Sequence, residues 1–132
     1  MSDILEEWIY STLNNDAKLQ TLLGGQKVYY NFPPLTVALP AISYTIGSVS
    51  NVAGNLLGVH DVRVDITIYG GDVEAIGKRI YDILDHKSAL LVKEEVYILK
   101  FDSSGPMMWD EKEEAYFRTD SYYAVKRVVK YA

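Results

Sequence analysis

The stretch VRVDITIYGGD, residues 62–72, limits the possible folds more than any other part of the chain. Val62, Val64, Ile66 and Ile68 alternate with Arg63, Asp65, Thr67 and Tyr69. A period of two puts one set on each side of an extended strand. One face is therefore apolar and the other polar, as in an antiparallel sheet with one side packed and one side wet. Extended back to Val59, this is the most regular strand in the sequence. Gly70-Gly71 then lets the chain turn back over the sheet, and Asp72 is placed to cap a helix. Ile76, Ile80, Ile83 and Leu84 give that helix an apolar stripe. Gly77 lies on the same stripe, where a missing side chain permits close approach to the sheet. Glu74, Lys78 and Asp82 form an i, i+4 ladder on the wet side. The helix is expected to cover the face made by Val62 to Ile68.

The rest of the chain supplies what such a strand needs. Ser2 can cap a first helix, with Asp3, Glu6 and Glu7 near its positive end. Leu5, Trp8, Ile9 and Leu13 form its packing stripe, which Asn14 and Asn15 interrupt. Asp16 can cap a short second helix carrying Leu19, Leu22 and Leu23, and Gly24-Gly25 ends it by a left-handed exit. KVYYNF (27–32) reads as a short strand, and Pro33, Pro34 and Pro40 hold the next segment extended. AISYTIGSVS (41–50) is a second strand, joined to the third as an antiparallel hairpin with a long tip. EVYILKF (95–101) is a fourth. Residues 102–114 read as a long loop. AYFRTDSYYAVKRVVKY (115–131) is a long terminal strand with a bulge expected near Asp120. No internal repeat or domain linker interrupts the chain. The expected architecture is one α+β domain, 1–132. It has a mainly antiparallel sheet of four to five strands, an N-terminal helical segment and one long helix packed on one face.

Composition narrows the chemistry. With 132 residues, 48% of them hydrophobic, the chain can bury a core of useful size. Its formal net charge of -5 argues against a general nucleic-acid binder, which needs clustered Lys and Arg. The absence of cysteine excludes disulfides, thiol nucleophiles and thiolate metal sites. The two histidines, His60 and His86, have no neighbouring acidic pattern of the kind metal sites use. The glycine pairs lack the spacing of phosphate-binding loops, and no nucleophile elbow occurs. Asp110, Glu111, Glu113 and Glu114 do not follow calcium-loop spacing and read as a solvated charge run. No cofactor or metal is expected. The opening MSDILEEWIY has no basic stretch, and no run approaches the roughly 20 apolar residues of a membrane span, so neither a signal peptide nor a membrane segment is expected. The 11 tyrosines suit either half-buried sheet faces or interfaces.

Three surface features stand out. Met107, Met108 and Trp109 sit amid acids, in a segment 102–114 with five carboxylates against one lysine, a formal charge of −4. Methionine and tryptophan are favoured at protein contacts, although Trp109 could equally fold back over the edge of the core. Residues 115–132 have the opposite sign: Arg118, Lys126, Arg127 and Lys130 against Asp120 give +3. An acidic and a basic segment could pair between copies, a heterologous contact that makes a ring if it closes. Leu56-Leu57 at the long hairpin tip reads as a partner contact or as a tip folded down on its own domain.

Taken in order, LLGGQKVYYNFPP, LPAISYTIG, the long alternating strand ending IYG and the amphipathic helix resemble the small tail completion proteins of long-tailed bacteriophages. These are also called head-to-tail joining or neck proteins, and tail terminators are similar in fold. The resemblance covers nearly the whole chain in element order. It rests on a helix ending in Gly-Gly before Val-Tyr, and on Pro40, Ile42 and Tyr44 opening a strand. It implies a structural virion protein, not an enzyme, with no catalytic residues to carry over. It also implies a ring, typically hexameric, at the head-proximal end of the tail, assembled in the host cytoplasm. The implied partners are further copies of the chain, the tail tube protein and head-connector proteins. DNA would pass through the ring without sequence-specific binding, and no membrane is involved. The residues expected at such contacts are Leu56, Leu57, Met107, Met108, Trp109, Asp110, Glu111, Glu113, Arg118, Lys126, Arg127 and Lys130. Two other classes stay open on the residues alone. A nucleic-acid module would use an aromatic sheet face with Arg118, Lys126, Arg127 and Lys130 on phosphates, against which the net acidity argues. A small enzyme or ligand-binding domain would need converging polar groups in a pocket, and no cluster in the sequence offers them.

Overall fold

The computed structural model describes residues 3–31, 38–52, 59–85, 88–90, 95–112 and 114–128, with side chains for 6–31, 38–47, 63–85, 99–112 and 114–124. Three helices, α1 (Asp3–Asn14), α2 (Ala17–Leu23) and α3 (Val73–Leu84), pack on one face of a single sheet. The strands are β1 (Val28–Tyr30), β2 (Ala41–Val52), β3 (Val59–Tyr69), β4 (Ser88–Leu90), β5 (Glu95–Ser104), β6 (Met108–Asp110) and β7 (Ala115–Val128). Their order across the sheet is β1-β2-β3-β7-β5-β4, and β6 pairs with β7 beyond the end of β5. The four long strands and the short β1 are those expected; β4 and β6, three residues each, complete the sheet. The pairing is antiparallel throughout except for β1 against β2, which is parallel.

The alternation of β3 resolves as expected. Val64, Ile66 and Ile68 are fully buried under the helices. Ile76, Ile80 and Leu84 of α3 meet them from above, joined by Ile9 and Leu13 of α1 and Leu19 and Leu23 of α2. Each such side chain withdrawn from water contributes roughly 1.5–3 kcal/mol. The helix ends also follow the sequence. Asp16 accepts the Leu19 N–H at 2.9 Å and Asp72 accepts the Ala75 N–H at 3.2 Å. Gly24 ends α2 in the left-handed region at φ 79°, its N–H donating to the Gln20 carbonyl. The proposed cap Ser2 lies outside the described residues, as does the side chain of Leu5.

Two expectations are corrected. Residues 102–114 are not a long loop. β5 runs on to Ser104 and β6 resumes at Met108, so only 105–107 and the turn after Asp110 lack strand structure. The reason is pairing: Met108 faces Phe117, Trp109 faces Tyr116 and Asp110 faces Ala115. A tight turn closes this hairpin, with Glu114 left-handed at φ 52°. The bulge expected near Asp120 is also misplaced. β7 runs in unbroken register with β3, from Phe117 opposite Tyr69 to Arg127 opposite Val59. The extra residue is on β5, where Phe101 faces Tyr122 and Ser103 faces Ser121. A second offset follows, since Ser104 faces Asp120 and Met108 faces Phe117, three residues against two.

Candidate functional site

In β7 the pleat alternates, and its even-numbered residues face the helices. Tyr122 and Ala124 continue the core made by Val64 and Ile66. Arg118 and Asp120 occupy the same face beneath α3. Asp120 is 2% exposed, yet it is fully engaged: Arg118 Nε donates to its Oδ1 at 2.9 Å and Nη2 to its Oδ2 at 3.1 Å. Glu74 on α3 takes a further bond from Arg118 Nη1 at 3.3 Å. Burial works against the Arg118 charge, and the two carboxylates more than offset it, holding the guanidinium charged. Gly77 is what makes the room. A Cβ there would collide with Arg118 Nη2 and come within 3.2 Å of Asp120 Oδ2. The close approach expected at Gly77 is therefore that of a guanidinium. Beside it, burial pushes the Tyr122 phenol up, and its hydroxyl has no hydrogen-bond partner among the described residues.

No described helix covers the opposite face. Arg63 donates to Asp65 at 3.0 Å and to Ser121 at 3.1 Å, and Thr67 bonds Thr119 across the strands at 2.9 Å. Tyr69 stacks on Phe117 at a centroid distance of 5.9 Å. This face supplies aromatic rings, but Arg118 points away from it and Arg63 is tied to a carboxylate. The phosphate-binding face of a nucleic-acid module is thus not assembled from the residues proposed for it that the structure describes.

The hairpin of β6 and β7 is a different environment. Met107, Met108, Trp109 and Tyr116 are 43%, 51%, 51% and 56% exposed, a run of large apolar side chains at one end of the sheet. Trp109 packs edge-on against Tyr116 at 4.9 Å and does not fold over the core. Met107 and Tyr116 line a shallow groove of about 290 Å³ with Gly71, Asp72, Val73 and Glu74 at the start of α3. Gly70 donates to the Tyr116 carbonyl at 2.8 Å, which fixes that end of the hairpin against the α3 turn. Glu111 and Glu114 are exposed in the turn beside this patch. Asp110 closes the hairpin opposite Ala115.

The residues proposed from sequence therefore divide. Met107, Met108, Trp109, Asp110 and Glu111 come together at the hairpin end. Arg118 is drawn under α3 and committed to Asp120 and Glu74. Lys126 and Arg127 lie at the far end of β7, opposite His60 and Val59, with their side chains outside what is described. Leu56, Leu57, Glu113 and Lys130 lie outside the described residues. Tyr116 belongs to the patch without having been singled out, and only the register of β6 on β7 reveals it; buried Val73 of α3 lines the floor of the adjoining groove. A second concavity of about 410 Å³, between α1 and β1, is lined by Tyr10, Tyr29, Tyr30 and Tyr44 with Glu6 and Glu7. Tyr44 donates its hydroxyl to the Glu6 carbonyl at 3.1 Å and is structural there. Among the described residues no group of three or more acidic, histidine or cysteine side chains is placed to hold a metal. No described helix is long and apolar enough to cross a membrane.

A search of the curated proteins gives no match. Among solved structures, a chain from the "Virion of native gene transfer agent (GTA) particle" superposes with a TM-score of 0.80. It is 20% identical and the alignment covers 96% of each chain, a likeness of fold. A family model described as tail completion protein gp17 matches residues 7–106, from α1 through all of β5. With that match spanning most of the sequence, including α2, α3 and most of α1, the chain belongs to the tail completion protein gp17 family, structural proteins of the bacteriophage tail.

Proposed function

We infer that this chain completes the tail by forming a ring at its head-proximal end, and that the ring meets the tail tube on one side and the head connector on the other. The family match over residues 7–106 carries this reading. The fold likeness to a chain of a gene transfer agent virion supports it. Surface chemistry fits as well: the largest exposed apolar side chains of the hairpin cluster at one end of the sheet, where a shape-driven contact needs them. An acidic chain, net −5, also suits a channel wall along which DNA slides without being gripped. Assembly would take place in the host cytoplasm and the finished ring would reside in the virion.

Electron microscopy of the purified protein mixed with tail tubes tests the proposal. A ring on one end of each tube is the expected image. Uncapped tubes, or decoration along their length, would reject it. The nucleic-acid alternative predicts a salt-dependent mobility shift of short oligonucleotides, which this reading does not.

A further inference from the structure

The acidic hairpin turn and the basic terminal segment sit at opposite ends of one strand. Residues 110–114 hold four carboxylates and one lysine, a formal charge of −3; residues 125–132 hold Lys126, Arg127 and Lys130, a formal charge of +3. β7 has 14 residues, so these two ends are roughly 40 Å apart at the usual rise per residue. The four residues after Val128 reach at most about 14 Å. The two charges cannot meet within one chain. Arg118, the first basic residue of β7, is already held by Asp120 and Glu74.

We propose that the Met107–Trp109 hairpin patch of one copy docks the terminal segment, 125–132, of a second copy. The proposal rests on the ring reading above and names the contact by which neighbouring copies join. Two kinds of complementarity support it. Charge is one: the sequence carries equal and opposite formal charges at the two ends of β7. Apolar character is the other. In sequence the segment VKRVVKYA interleaves three valines and a tyrosine with its bases; residues 125–127 stay paired between β3 and β5, so that part would engage through side chains alone. The hairpin offers Met107, Trp109 and Tyr116 on the helix side and Met108 beside Phe117 on the other, with Glu111 and Glu114 exposed beside them. Methionine and tryptophan adapt to such a segment while the carboxylates orient it. The contact joins unlike surfaces, so each copy keeps one donor and one acceptor end, as a closed ring requires. The tyrosine-lined concavity is a poorer acceptor for the hairpin, because Glu6 and Glu7 at its rim would face the acidic turn.

Sedimentation velocity of the full chain, across protein concentration and at low and high salt, reads the contact directly. Wild type is expected to self-associate at low salt and to dissociate as salt rises. Reversing the turn (Glu111→Lys with Glu114→Lys) or the segment (Lys126→Glu with Lys130→Glu) should each weaken association by roughly tenfold or more. A chain carrying both reversals should associate again. Trp109→Ala, neutral in charge, should weaken association at every salt concentration. Circular dichroism melting confirms that each variant is folded. A wild type monomeric at all concentrations and salts, single reversals that associate like wild type, or a double reversal that stays dissociated would each overturn the proposal. Tail tubes added to the same samples separate it from the ring reading. Tubes capped equally well by single reversals leave the ring standing and this contact refuted. Wild type that self-associates with the predicted charge pattern, yet caps no tube, does the reverse.

Discussion

Between Arg118 and Ala124, β7 hides its residues on the helix side; between Met107 and Tyr116, the hairpin it shares with β6 displays them. Both stretches pass the same helix, α3, one beneath its middle and one at its first turn. In the middle, even a carboxylate is buried, and it is matched by a guanidinium with two bonds. At the end, four large apolar side chains face water although α3 is adjacent. The difference shows what each stretch is for. The buried stretch is constrained by the cost of an unmatched group, which selects one arrangement. The exposed stretch adds little to folding, and the docking proposed above would give its apolar area a role.

Substitutions can break the contrast at either end. The largest effect is expected in the core: Ile66→Ala should cost about 3–4 kcal/mol in urea denaturation, since Ile66 is fully enclosed between α3 and the sheet. Asp120→Ala should cost about 2–3 kcal/mol by the same measurement, because Arg118 would remain under α3 with only exposed Glu74 as partner. A loss below about 0.5 kcal/mol would mean that Arg118 swings out to water, and the middle of β7 would then resemble its end. Asp16→Asn comes next. Asn keeps the cap of α2 but loses the paired bonds from Arg79 to both carboxylate oxygens, at 2.6 and 2.8 Å. The bonds from Arg79 hold the Asp16 carboxyl below its ordinary value of 3.8. The stabilisation is therefore present at neutral pH and lost as the pH falls through the depressed value. The variant should be about 1 kcal/mol less stable at neutral pH. That gap should close on acidification below pH 3.8, which denaturation curves over a pH series would show. The smallest effect belongs to the hairpin: Met107→Ser and Met108→Ser should each shift stability by no more than about 0.5 kcal/mol. Both should nonetheless reduce tube capping in the microscopy assay. A large loss of stability would move the hairpin into the same class as the core.

Much of this fold could be read from periodicity and caps. Val62 to Tyr69 alternates without exception, and Ile76, Ile80 and Leu84 keep helical spacing, so β3, α3 and their mutual packing were accessible. Asp16 and Asp72 act where an N-cap must act. Of the short strands, only β1 was accessible, through KVYYNF. Three residues are too few to display a period, so β6 looked like loop and the parallel pairing of β1 left no trace. The placement of Arg118 and Asp120 was partly legible. They fall in phase with Tyr122 and Ala124, and Gly77 marks a gap on the facing helix, but charged residues on an inward face run against the usual rule. The exposed patch was legible as composition, in Met107, Met108 and Trp109, and illegible as geometry, because Tyr116 joins it only through the pairing of β6 with β7.

The two offsets on β5 and β6 have a consequence for solution behaviour. An exposed sheet edge with evenly spaced amides is a template on which further chains can add indefinitely. Here the edge from Leu99 to Asp110 loses its spacing once after Phe101 and again around Pro106, a residue that has no amide hydrogen to offer. Another strand arriving at this border finds only short runs in step with itself. The chain can therefore carry sticky side chains at this rim while the backbone beside them is a poor template for fibre growth.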